Sequence, residues 1–152
     1  MAPGSDLKVI SWIVLAWLGG AGCTDPAPRP LSLARDVCGH CHMTLEDRRF
    51  AGEIVFRTGK VTPFDDVGCL AIAAVGSALP IHSLWASDYL EPDSLVAVER
   101  LVFVRTGTVR TPMGYGIVAV RPGAAADSLA RRFGTQPMSW NDVMAWARTE
   151  PR

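Results

Sequence analysis

Phe50-Ala51-Gly52-Glu53-Ile54-Val55-Phe56, Arg57-Thr58-Gly59, Lys60-Val61-Thr62-Pro63-Phe64 reads as strand, glycine turn and strand. β-Branched and aromatic residues on both sides of a Gly-containing turn specify a β-hairpin. The hairpin runs directly into Asp65-Asp66 and the apolar, Ala-rich stretch Val67 to Val75. A carboxylate just before such a stretch accepts the free N–H groups of a first helical turn, so Asp65 or Asp66 caps a helix that Gly76-Ser77 ends. Cys69 falls in that first turn, where the helix dipole favours a thiolate. Ile81 to Ala86 has strand spacing, and Glu91-Pro92-Asp93-Ser94 is a turn.

Further along, the order recurs. Leu95 to Val104 is a strand run, Arg105-Thr106-Gly107 a turn, and Tyr115 to Val120 another strand. Ala124 to Phe133 is helical with Gly134 as its stop, and a last helix through Trp140 to Trp146 is capped by Ser139. These elements predict an α+β fold of two small ββαβ-like halves packed together, residues 35–92 and 93–152. Each half is too small to bury a core alone. Trp85, Trp140 and Trp146 are expected to fill the shared core.

Upstream of both halves the chain changes character. Val9 to Leu18 is almost unbroken apolar sequence, too short to span a bilayer at ~1.5 Å per residue. It reads as the h-region of an export signal over residues 1–22. Gly19-Gly20-Ala21-Gly22 then precede Cys23, and a Pro-rich stretch follows. This pattern resembles a bacterial lipobox, with Gly20 where Leu is usual, and it predicts lipidation of Cys23 and a tether over 23–34. Cleavage there leaves about 130 residues, enough for one domain or two very small ones. The 152-residue chain carries 15 basic and 15 acidic residues and is 49% hydrophobic. That balance excludes a disordered acidic chain and a basic nucleic-acid binder.

The chemistry concentrates in Cys38-Gly39-His40-Cys41-His42-Met43. With Cys23 acylated, three of the 4 cysteines remain, and an odd number in an oxidising compartment leaves one unpaired or bound. Four readings compete. A Cys38–Cys41 disulfide closes a tiny loop and stabilises little. A thiol oxidoreductase using Cys38 and Cys41 needs a helix behind the motif, and Thr44 to Arg49 shows none. A c-type haem carrier would use Cys38, Cys41 and His42, a complete C-x-x-C-H string, but a hairpin rather than a helix follows it. Thiolate, thioether and imidazole donors together suit Cu(I). Met113, between Pro112 and Gly114 on a turn, has few neighbours to pack against and is a thioether candidate. His82, on a strand, ranks below it. No nucleophile–base–orienter set is visible, so the chain reads as a non-enzyme.

Taken together, Cys-x-x-Cys-x-Met at 38–43, the hairpin, Phe64-Asp65-Asp66-x-Gly68-Cys69, Thr111-Pro112-Met113-Gly114 and Ser139-Trp140 resemble the NosL family. The resemblance covers most of the mature chain. It implies an exported lipoprotein that chaperones copper during assembly of nitrous oxide reductase, with a fold of paired ββαβ-type halves. It implies Cys41 and Met43 as Cu(I) ligands, with Cys38 matching the first cysteine of two-cysteine members and Met113 the methionine of the second half. His42 stands where the family commonly has Gly. Whether the site is sulfur-only or mixed stays open, with His42, His40, Cys69 and His82 as further candidates. The implied partners are the reductase or its maturation machinery, and a membrane on the extracytoplasmic side through the lipid anchor, with no nucleic acid.

Overall fold

The structure, a computed structural model, describes residues 25–150; the stretch read as an export signal and Cys23, read as the lipidation site, lie outside the described residues. The hairpin forms as read, from β1 (Gly52–Phe56) and β2 (Val61–Phe64), antiparallel with Gly52 opposite Phe64. Next comes α1 (Val67–Gly76), whose N-cap is Asp66: its carboxylate accepts the Gly68 N–H at 2.8 Å. The chain returns along β3 (Ile81–Ser87), antiparallel to the other side of β1.

The apolar run that follows is not one strand. It divides into β4 (Leu95–Ala97), a single 3₁₀ turn (Val98–Arg100) and β5 (Val102–Arg105). The physical reason is that the two pieces belong to different sheets. β4 pairs with β3, completing a four-stranded antiparallel sheet in the order β2-β1-β3-β4, whereas β5 pairs with β6 (Ile117–Val120) in a two-stranded sheet. The turn lets the backbone leave one sheet and enter the other, and it places Glu99 and Arg100 in solvent. Two helices close the chain. They are α2 (Ala124–Arg132) and α3 (Trp140–Ala147), the latter with a capping box between Ser139 and Asp142.

One apolar cluster runs from Leu31 to Ala147 and draws on both halves: Ile54, Phe56, Phe64 and Leu70 from the first, Phe103, Ile117, Ala119 and Val143 from the second. The period of two in β5 and β6 explains how so small a sheet is buried on both faces. Phe103, Ile117 and Ala119 point into this shared core, while Val104, Val118 and Val120 point the other way against Ala126 and Ala130 of α2. The tryptophans do not fill the core as expected. Trp85, Trp140 and Trp146 are all partly exposed; Trp140 and Trp146 seal its rim, with Trp140 against Phe103 and Trp146 against Tyr115. Indole rings at the rim bury area while part of each ring stays in contact with water. Among the described residues no helix is long and apolar enough to cross a membrane.

Candidate metal centre

The 38–43 segment is a closed loop rather than the flexible string that its composition suggests. Val37 bridges to Thr44, the Cys38 N–H donates to the Met43 carbonyl at 2.8 Å, and the His42 N–H donates to the Cys38 carbonyl at 3.1 Å. Closing so few residues forces His42 to a φ of 61°. That left-handed conformation favours glycine, and histidine is among the side chains that tolerate it. The Gly39 N–H donates to the Pro63 carbonyl at 2.9 Å, which fastens the loop onto β2.

Fastening the loop there aims its cysteines at the start of α1. Cys38 is fully buried, as is Cys69 in the first turn of the helix, and Asp65 lies between them at 2% exposure. The Sγ atoms of Cys38, Cys41 and Cys69 and a carboxylate oxygen of Asp65 all lie within 4.8 Å of one another. Both oxygens of Asp65 stand 3.4 Å from Cys41 Sγ. Asp66, one residue on, performs the capping, which leaves Asp65 free to face the thiols.

The thiols titrate as a group. The Cys69 thiol, directed at Cys38, stabilises a Cys38 thiolate and lowers its pKa to about 6. Cys69 is correspondingly held well above the ordinary thiol range by that hydrogen bond and by burial. Burial, then the adjacent Cys38, pushes Cys41 up to about 11.

The second half reaches the same place through Asp66. Its Oδ2 accepts the Met113 N–H at 3.0 Å, and the Thr111 hydroxyl also bonds its carboxylate. Gly116, at a φ of 68°, lets Thr111 Oγ1 accept its N–H at 3.1 Å, and the close approach of the Thr106 carbonyl leaves no space for a side chain there. The Thr111–Gly114 turn is thus pinned beside the loop. An open groove of about 240 Å³ between them is lined by Met43, Asp65, Arg110, Thr111 and Pro112 among others. Met43 and Met113 are 50% and 37% exposed.

Of the candidates named from sequence, the structure gathers Cys38, Cys41 and Cys69 into one donor group and sets Met43 and the Met113 turn at its groove. His40 is half-buried, while His42 and His82 are exposed; all three lie outside that group. Asp65 is the donor that the sequence reading missed, having assigned the acid pair to helix capping. The signal available was the redundancy of two acids where a cap needs one. The inward Cys38 and outward His42 are at odds with a haem on Cys38-Cys41-His42, whose plane needs all three on one open surface. A fully buried Cys38 on a closed loop is equally at odds with a thioredoxin-like nucleophile, which must be reached by its substrate.

The family model for NosL matches residues 30–147. The chain belongs to the NosL family. Among solved structures, the chain is similar to the copper chaperone NosL from Shewanella denitrificans, with a TM-score of 0.67 and 14% sequence identity over 78% of this chain and 96% of that one. At that identity the likeness carries the NosL fold alone. No curated protein matches the chain.

Proposed function

We propose that this NosL-family chain is an exported, lipid-anchored carrier that holds Cu(I) as cargo for nitrous oxide reductase or the machinery that assembles it. The observation carrying the reading is the cluster of three thiols around Asp65, whose side of the loop opens on the groove lined by Met43 and by Thr111 and Pro112 of the Met113 turn. Cu(I) is satisfied by two or three soft ligands, and exposed thioethers at the mouth of a thiol site allow ligand-by-ligand exchange with an acceptor. Cys41, the partly exposed thiol of the group, is the principal ligand, and Met43, Cys38 and Met113 complete the set from which copper draws. In this reading the chain acts as a carrier and not an enzyme.

The anchor reading extends to geometry. Leu31 belongs to the core, and Arg29 is held by Asp36 at 2.7 Å and, through its N–H, by Glu53 at 3.0 Å. The tether read over 23–34 is therefore docked from Arg29 onward, and the chain from Cys23 to Arg29 reaches at most about 20 Å. A lipid on Cys23 would keep the copper site close to the membrane.

Titration of the reduced protein with Cu(I) against a competing chelator tests the proposal. The expected result is one tight site, weakened on the order of 100-fold by Cys41→Ser and about tenfold by Met43→Ala. A site indifferent to both substitutions would sink it.

A further inference from the structure

Copper at Cys41 and the thioethers leaves two donors without a task. Cys69 and Asp65 are both buried, both face Cys38 and Cys41, and neither is a ligand that a two- or three-coordinate Cu(I) requires. A carboxylate in particular is a hard donor with nothing to offer Cu(I). We infer that Cys38, Cys41, Cys69 and Asp65 form a second binding mode of the centre, a four-coordinate site for a divalent thiophilic cation of the Zn²⁺ class.

Three observations carry this. The first is number and type. Three sulfurs and one carboxylate oxygen are the donor count and chemistry of a closed tetrahedral zinc site. The second is spacing. Zn–S bonds near 2.3 Å and Zn–O bonds near 2.0 Å imply sulfur–oxygen edges of about 3.5 Å and sulfur–sulfur edges of about 3.8 Å in a tetrahedron. The Asp65 oxygens already stand 3.4 Å from Cys41 Sγ, and the whole set lies within 4.8 Å, so binding asks for small contractions only. The third is charge. Three thiolates and a carboxylate place four negative charges in a largely buried site, where uncompensated charge is costly. A divalent ion leaves two of them and a monovalent ion three, with Arg110 in the adjoining groove as the cation at hand.

Cys41 is common to both modes, so the two metals compete for it: the inner set holds the divalent ion, and the groove side with Met43 and Met113 serves Cu(I). The inference shares Cys38 and Cys41 with the copper reading and is carried by Cys69 and Asp65, the two donors that copper does not use.

The test uses the full chain, reduced and stripped of metal, titrated with Co²⁺ as a spectroscopic stand-in and then with Zn²⁺. Expected are intense four-coordinate visible bands with sulfur-to-cobalt charge transfer at one equivalent, discharged by one equivalent of Zn²⁺. Asp65→Asn should weaken Zn²⁺ binding on the order of 100-fold, a larger loss than it causes in Cu(I) affinity. Met43→Ala should weaken Cu(I) binding about tenfold and leave Zn²⁺ affinity within a few-fold. A pale six-coordinate Co²⁺ spectrum without sulfur charge transfer would overturn the inference using the wild-type chain alone, whatever the folding of any variant. Equal Zn²⁺ affinity in Asp65→Asn would overturn it too. Cu(I) competition is read separately, so loss of the zinc mode and loss of the copper mode are distinguishable.

Discussion

Glu53 is a charged residue in the middle of a strand whose every residue is buried. The Arg29 N–H satisfies one carboxylate oxygen, and the other has no partner among the described residues. Burial pushes its pKa up from the ordinary glutamate value, and the Arg29 contact only partly opposes this. The folded chain therefore keeps that proton to higher pH than the unfolded chain does. Its contribution to stability is full below about pH 4.5 and is lost as the pH rises through the raised folded value. Glu53→Gln is expected to melt higher than wild type near neutral pH, with the gap closing towards pH 4.5; thermal denaturation at several pH values measures it, and a gap independent of pH would contradict the assignment. Backbone strain is legible at the same scale. His42→Gly relieves a left-handed φ and should stabilise the loop by up to about 1 kcal/mol without moving Cu(I) affinity, since the imidazole lies outside the donor group. Chemical denaturation and the chelator competition check the two halves of that statement.

At the scale of the elements, α1 does more than bury Leu70 and Ile72. Its cap, Asp66, is also the anchor of the Met113 turn, so one carboxylate joins the helix start to the second half. Asp66→Ala should lose about 1 kcal/mol for the cap and a further 1–3 kcal/mol for the buried donors left unpaired. It should also weaken Cu(I) binding through the displaced turn. Asp66→Asn keeps an oxygen for the Gly68 N–H and should retain most of both properties. If the alanine variant binds copper like wild type, the turn does not serve the site. The second residue of α1 is constrained as tightly, because a Cβ on Gly68 would overlap the Tyr115 ring. Gly68→Ala is expected to cost about 1–3 kcal/mol by overpacking, read as a lowered denaturation midpoint. The hairpin, α1, α2 and α3 were legible from turn chemistry, caps and periodicity. The division of Leu95 to Val104 was not, because an apolar run has the same appearance whether it stays in one sheet or crosses between two; Glu99-Arg100 inside it was the available hint.

For the whole molecule, the decisive feature is that the halves are not self-contained. β4 completes the sheet of the first half, α3 packs on α1, and the shared cluster runs from Leu31 to Ala147. A fragment of residues 93–150 alone loses the strand that pairs with β4 and the apolar face that covers Phe103, Ile117 and Ala119. It should show no cooperative unfolding transition by circular dichroism, in contrast to the full chain. The donor group depends on the same arrangement. Cys38 and Cys69 are far apart in the chain and meet only because β2 carries both the Gly39 contact and the entry to α1.

From the sequence alone came the soft-donor chemistry at 38–43, the capping carboxylate, the order of strands and helices apart from the split of Leu95 to Val104, and the resemblance to NosL. All of these depend on residue type and short spacing, which a linear reading preserves. Which thiols share one site, which acid faces them and which acid caps the helix, and whether the tryptophans fill or rim the core were decided by tertiary structure. Each of those depends on what lies across a gap of a few ångströms between segments that are distant in the chain, and burial and hydrogen bonding act over that distance and no further.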